Sequence, residues 1–403
     1  MNYYLFLTPS IVSIGGAELY VARKVKHLRE MGWYPIVFSF CKGDIKIEDL
    51  RGFNENIVAE FELKYSISNV RIRNGVLKNV ESKVKEACQI IVESHTTNLA
   101  YWGEYIASCL NATHLCYLLT ETFPKLSNLE HVFFENKLKQ NLLRGIVDLS
   151  VTKLFSDGNK YNVPRLPALG NIYNSIDDKI SYDYSIYRNA DFKILSLGRL
   201  NKPYIEEMLR AVYTFSKANP NRTINLTLLG GYFVDKIKAI CEEVQCGSMV
   251  EIIHIDECNP IPANIFSYND IAIAVAGCAR ICTDQNLPTI TVDANDKKAI
   301  GVLDVTTNNT ILRQSEEPQE IYDLIEDLLI KKKYSLHHKE QKPQCLDYSE
   351  HDRYFEVKQT VYRLKTERTA SDVLFCIMLT VLGFKGYNVV MDWLRTIKKI
   401  IQS

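Results

Sequence analysis

Short apolar runs alternate with amphipathic stretches along most of this 403-residue chain. Residues 3–7 form a continuous apolar run and 8–16 a turn-rich loop. Residues 17–31 then carry Tyr20, Val21, Val25 and Leu28 at near-helical spacing before Gly32 stops the pattern. Further along, the pattern predicts a strand at 34–40, a helix at 76–87, a strand at 89–93, a helix near 98–110, and strands at 113–119 and 149–155. Strand, helix and strand in succession build a parallel sheet, because a long crossover is needed to bring the next strand in pointing the same way. Residues 156–178, with Gly158, Pro164, Pro167 and Gly170, interrupt the series and mark a domain boundary.

Beyond that boundary the alternation restarts. Strands are predicted at 192–197, 224–229, 250–255, 270–274 and 288–292, with helices at 204–218, 234–244, 261–266 and 277–283. A late helix at 321–330 precedes a polar, basic linker at 331–353 and two helices near 355–368 and 371–400. The expected fold is therefore α/β, with two Rossmann-like parallel-sheet lobes at 1–175 and 176–354 that face a central cleft, followed by a helical tail at 355–403. Ligands of open parallel sheets bind beyond the carboxyl ends of the strands, so the chemistry is expected in the loops that follow strands.

Composition narrows the functional classes. Hydrophobic residues make up 46% of the chain and charged residues 24%, enough apolar material for sizeable cores. Lys plus Arg balances Asp plus Glu at 48 each, so total charge does not point to a nucleic-acid partner. The balance hides a gradient: residues 1–175 carry 20 basic and 17 acidic side chains, 176–330 carry 14 and 23, and 331–403 carry 14 and 8. The 11 cysteines are scattered without a C-x-x-C pair, the usage of a reducing compartment. The opening residues lack the basic start and apolar stretch of a secretion signal, and no apolar span of about 20 residues stands out on inspection. A cytoplasmic location is the resulting expectation.

Several strand-following loops carry candidate chemistry. Gly15 and Gly16, with Glu18 just inside the next helix, permit close backbone approach to a ligand, although a tight turn alone also requires glycine. Glu93, Ser94 and His95 follow the strand at 89–93, and their groups suit hydrogen bonding to a polyhydroxylated ligand or proton transfer. The neighbouring Thr96, Thr97 and Asn98 serve equally well as helix caps. Glu121 follows the next strand. Gly198, Arg199 and Lys202 follow the first strand of the second lobe, where an Arg fork and a mobile Lys charge can hold a diphosphate. Gly230 and Gly231 follow the next strand, Asp256 and Glu257 the one after, and Gly277, Cys278 and Ala279 open a helix with small residues that admit a phosphate or ribose.

Taken in order over about residues 1–310, these features resemble the GT-B glycosyltransferases, and most closely the large retaining family that includes bacterial lipopolysaccharide, capsule and mannosyl transferases. The Gly15-Gly16-Ala17-Glu18 loop resembles that family's G-G-x-E acceptor-side loop. The run from Ile172 through Asn174 to Asp177 resembles its interdomain phrase, with Ser175 in place of glycine. The strand leading into Gly198-Arg199-Leu200 resembles its G-R-[LY] loop, and 226–231 resembles the next strand and glycine turn. The family's E-x7-E acidic pair has no counterpart here, since 275–288 offers only Gly277, Cys278, Ala279 and Asp284 in that place.

The resemblance implies a nucleotide-sugar donor, UDP- or GDP-linked, with no metal and no bound cofactor. It implies that His95 sits beside the transferred sugar, that Arg199 and Lys202 grip the diphosphate, and that the base lies near Asp256 and Pro260. It also implies retention at the anomeric carbon, a saccharide or lipid-linked acceptor in surface polysaccharide or lipopolysaccharide synthesis, and tail helices packing back across the lobes. The missing acidic pair leaves an alternative open: a catalytically inactive GT-B subunit that supports a partner transferase; a homodimer is a further expected partner arrangement. Lys331, Lys332 and Lys333 are the expected contact with an anionic inner-membrane surface.

Overall fold

The computed structural model describes residues 1–119, 126–145, 154–155, 176–187, 189–334, 348–357, 364 and 370–402. It divides into two compact units, Met1–Leu169 together with Asp347–Ser403, and Gly170–Leu346.

The first unit is built on a five-stranded parallel sheet of order β2-β1-β3-β4-β5, formed by β1 (Asn2–Leu7), β2 (Tyr34–Phe38), β3 (Gln89–Ser94), β4 (Thr113–Leu118) and β5 (Leu143–Gly145). Helices α1 (Gly16–Glu30), α2 (Val70–Lys83), α3 (Thr97–Leu110) and α4 (Asn128–Lys139) connect or cover the strands. Because strand side chains alternate, Tyr4, Phe6, Ile91, Leu115 and Tyr117 pack on the α1 side, whereas Leu5, Leu7, Val92, Cys116 and Leu118 pack on the α3 side. Local signals set the helix ends. Thr96 accepts from the Leu99 amide at the start of α3, Asn111 closes it in the left-handed conformation, and Ser127 with Glu130 forms a reciprocal capping box on α4. The predicted strand at 149–155 falls mostly outside the described residues; the strand that extends the sheet is β5.

The second unit carries a six-stranded sheet of order β13-β12-β11-β7-β8-β9 and a small parallel pair, β6 (Ile176–Asp177) with β10 (Ile261–Pro262). The large sheet comprises β7 (Phe192–Leu197), β8 (Ile224–Leu229), β9 (Val250–Ile255), β11 (Ile271–Ala274), β12 (Thr289–Val292) and β13 (Ala299–Val302), and only the β12–β13 pair is antiparallel. Its helices are α5 (Tyr204–Ala218), α6 (Asp235–Gly247), α7 (Asn264–Tyr268), α8 (Gly277–Asp284) and α9 (Ile321–Leu329). Met208, Leu209, Val212 and Phe215 of α5 join Leu324 and Ile325 of α9 in the main core.

The chain then returns to the first unit. The short helix α10 (Ser349–Asp352) and the turn Arg353–Phe355 lie there, with Tyr354 in the core shared by Tyr4, Tyr20 and Trp33. The long helix α11 (Ala370–Gln402) packs Leu379 and Tyr387 on Leu63 and Ile67. One expectation is corrected here. Helix α11 is long and apolar enough, within Ala370–Ile397, to cross a membrane, so an apolar span does exist. Lys331 and Lys333 are exposed and ion-paired, Lys331 with Glu326 and Asp327 at 3.0 Å each and Lys333 with Asp327 at 2.9 Å.

Candidate functional site

In both units the sheet order reverses at its first strand, between β1 and β3 in one and between β7 and β11 in the other. At such a switch point the loops leave neighbouring strands in opposite directions and open a crevice at their carboxyl ends. The four loops concerned carry most of the sequence candidates: Gly15, Gly16 and Glu18 after β1, His95 after β3, Gly198 to Lys202 after β7, and Gly277 to Ala279 after β11.

In the first unit, His95 continues the sheet by one residue. Its amide donates to the Leu7 carbonyl and its carbonyl accepts from the Leu119 amide. The side chain is 1% exposed, and Nε2 lies 2.8 Å from Oε1 of Glu93. Glu93 is fully buried and also accepts from Tyr20 at 2.8 Å, from Tyr4 at 2.5 Å and from the Lys24 ammonium at 2.6 Å. Burial alone would raise the Glu93 carboxyl, but Lys24 and His95 hold it well below the usual carboxylate range. Burial together with the Glu93 charge raises Tyr4 and Tyr20, so both phenols stay protonated and donate. An ionised carboxylate only accepts, so Nε2 of His95 carries the proton and Nδ1 is left without a partner among the described residues. His351 reaches the same group from the tail, its Nδ1 3.4 Å from Lys24.

A second buried ion cluster lies across the sheet, on the α3 side. His114 Nδ1 is 2.8 Å from Glu104, Lys137 also pairs with Glu104, and Ser94 bonds His114 Nε2 at 2.8 Å. Burial and the Lys137 charge lower His114 to about 4. Gly103 packs so closely on this imidazole that a Cβ there would overlap it.

Glycines Gly15 and Gly16 form the start of α1. Gly15 is its extended amino-terminal cap, and a Cβ there would meet the Glu18 carboxylate at 2.5 Å, whereas a Cβ on Gly16 would meet nothing. Glu18 accepts from Ser13 at 2.9 Å, which ties the loop to the first turn of the helix. Glu121 and Asn174 lie outside the described residues.

In the second unit the predicted loops converge. Gly198 has φ +135 and is 3.4 Å, measured from a Cβ built on it, from Sγ of Cys278, so the loops after β7 and β11 meet at the switch point. A Cβ on Gly230 would overlap the Gly198 carbonyl oxygen, and one on Gly231 would meet the Glu257 carboxylate at 2.8 Å. The Leu200 amide donates to the Gly231 carbonyl at 2.9 Å. The three glycines are therefore needed for close packing: the Cys278 thiol lies against Gly198, the Gly198 carbonyl against Gly230 and the Glu257 carboxylate against Gly231. Arg199 is exposed beside it and makes no ion pair among the described residues; Lys202 lies half-buried at the start of α5. Gly277 is exposed at the start of α8, while Ala279 is fully buried against Ala274 and Leu303 as a packing residue. Asp256 points into solvent, 3.8 Å from His254, and it is the adjacent Glu257 that reaches the glycine loops.

Sequence reasoning missed Lys24, Tyr4 and Tyr20. The available signal was Lys24 itself, a lone cation on the Tyr20–Leu28 stripe of α1, where a charge is buried only if something pairs with it.

No protein-family model matches the chain, and no curated protein matches it in sequence. Solved structures do. A structure of HepE from Anabaena in complex with UDP and glucose superposes with a TM-score of 0.53 at 12% identity, covering 82% of this chain and 90% of that one. A TarM variant from S. aureus, in complex with UDP and saccharide ligands, gives 0.52 at 8% identity, covering 82% and 92%. WaaG, a glycosyltransferase involved in lipopolysaccharide biosynthesis, gives 0.51 at 11% identity, covering 82% and 91%. The fold is thus that of the GT-B glycosyltransferases, two Rossmann-like units in one chain.

Proposed function

We propose that this protein is a glycosyltransferase that moves a sugar from a nucleotide diphosphate donor, most simply a UDP-sugar, to a saccharide or lipid-linked acceptor in the synthesis of a surface polysaccharide or lipopolysaccharide. The observation that carries the reading is the corner at the β7/β11 switch point. Gly198, Gly230 and Gly231 let the loops after β7 and β8 pack backbone against backbone there, and the exposed Arg199, with no ion pair among the described residues, stands beside them. Bare backbone admits a phosphate closely, and a guanidinium fork matches two of its oxygens. As the C1–O bond to the diphosphate breaks and a C1–O bond to the acceptor hydroxyl forms, the leaving group gains negative charge. Arg199 and Lys202 neutralise that charge, and the acceptor proton passes to the departing phosphate. By resemblance the base lies near Asp256 and Pro260. Retention of the anomeric configuration belongs to the same resemblance.

His95 supplies orientation in this reading. By resemblance it belongs beside the transferred sugar, and Glu93 holds the orientation of its buried imidazole. Titration calorimetry with UDP, GDP and a panel of their sugars tests the nucleotide site, and product analysis in the same preparation tests transfer. His95→Ala is expected to leave nucleotide affinity within about threefold and to lower transfer about 100-fold, since its contact matters chiefly in the transition state. Failure to bind any nucleotide overturns the whole reading.

A second reading rests on α8: its first turn offers Gly277, Cys278 and Ala279 in place of a carboxylate. Nucleotide binding without transfer to any acceptor would favour an inactive subunit that supports a partner transferase.

A further inference from the structure

Helix α11 does not follow the pattern of a surface helix. A soluble surface helix buries one apolar stripe and shows polar residues elsewhere. Here Leu379 and Tyr387 are packed on the first unit, yet Val373, Leu374, Ile377, Val381, Val389 and Trp393 are exposed as well, to 75% at Val381, 70% at Val389 and 64% at Trp393. Only 11% of its most apolar 18-residue window is buried. Water against this many large apolar groups costs free energy in proportion to their area.

Charge identifies what covers the face. Between Val373 and Met391 the only ionisable group of Lys, Arg, Asp or Glu type is Lys385; beyond lie Asp392, Arg395, Lys398 and Lys399. Trp393 thus sits where an apolar stretch passes into a basic one, the order in which side chains meet acyl chains, interface and anionic headgroups. We infer that α11 is a membrane-docking helix that lies in the plane of an anionic bilayer, its exposed apolar face in the acyl boundary and its basic end among the headgroups. The orientation follows from two facts. Gly383, with φ 66 and ψ 176, breaks the helix, and the 13 residues before it extend about 20 Å, short of the roughly 30 Å of a hydrocarbon core. Residues on both sides of the break are packed on the protein body, Leu379 before and Tyr387 after, so neither half is free to leave it. The inference does not depend on sugar transfer.

The test uses the full chain and its own fluorescence. Of the three tryptophans, Trp33 and Trp102 are buried, so a change on adding vesicles reports Trp393. With phosphatidylcholine vesicles containing about 30% phosphatidylglycerol, a blue shift and quenching by brominated lipid are expected. Binding should weaken without vanishing in about 0.5 M salt, since only its electrostatic part is screened. The double variant Val381→Asp/Val389→Asp should keep the parent melting temperature and lose affinity about tenfold or more. Carbonate washing should release the bound protein. No binding to either vesicle, unchanged binding by the double variant, or complete loss in salt overturns the inference. Retention after carbonate would mean a spanning helix, and a dimer in solution that the double variant dissociates would mean that a second copy covers the face; either also overturns it.

Discussion

The first unit and the second reach their switch points with opposite materials. Around His95 the first unit uses side chains, an acid, a lysine and two phenols locked together out of water. Around Gly198 the second unit relies on glycines that let its loops close-pack, with the exposed Arg199 beside them. A side-chain network sets the direction of a hydrogen bond but carries a desolvation penalty in every state of the protein. A glycine corner costs little to hold open and selects by shape and charge.

The largest expected effect breaks the first half of the contrast. Lys24→Met leaves the Glu93 carboxylate buried beside two phenols without its counter-ion, and denaturant unfolding should show a loss of about 3–5 kcal/mol. Lys24→Met with Glu93→Leu removes both charges and should recover most of that loss, which separates the cost of an orphan charge from lost packing.

Acid is expected to act through the neighbouring cluster. His114 titrates at about 4 in the folded protein against 6.5 unfolded, so its contribution is complete above pH 6.5 and is lost as pH falls through that window. Stability measured by urea unfolding should decline by about 3 kcal/mol from this group between pH 7 and pH 4, and His114→Gln should flatten the decline. Glu93 and Glu104 are held low by Lys24 and by His114 with Lys137, so their contributions begin to be lost only at the acid end of this window and continue to fall below it.

On the side of the second unit, Arg199→Ala should weaken UDP binding and transfer together, with kcat/KM down about 100-fold, near 2.7 kcal/mol, and an unchanged melting curve. Gly230→Ala drives a methyl group into the Gly198 carbonyl, and thermal unfolding should show a loss of about 1–3 kcal/mol. If Gly230→Ala proves neutral, the close approach of the Gly198 carbonyl does not require glycine there.

Much of the second unit was legible because each element has its own local signature. The α5 helix at Tyr204–Ala218 and the strands at 192–197, 224–229 and 250–255 coincide with their predicted bounds, since apolar strand runs are cut short by polar or glycine-bearing turns. Strand β13 was not legible: Ala299–Val302 is four residues with no alternation, and its antiparallel pairing depends on β12 already being in place. In the first unit the Gly15 loop and His95 were visible as loop residues, but their surroundings were not. Glu93 and Lys24 are 69 positions apart, and nothing along the chain says that they meet. Helix α11 was predicted near its true extent, yet Gly383 and Lys385 interrupt the apolar run and hid its overall hydropathy.

The return of the tail to the first unit has a consequence for how the protein is made. Residues 170–346 form the whole of the second unit, so that unit can complete itself while the ribosome is still adding the remainder. The first unit begins earlier and finishes later. Tyr354 fills its core, His351 reaches Lys24, and the Phe355 carbonyl accepts from Gln89, all from residues translated after the inserted unit. Until they emerge, the Lys24–Glu93 pair has an unfilled wall, and a chain ending at residue 346 and released from the ribosome should display a protease-resistant second unit beside a digestible first one.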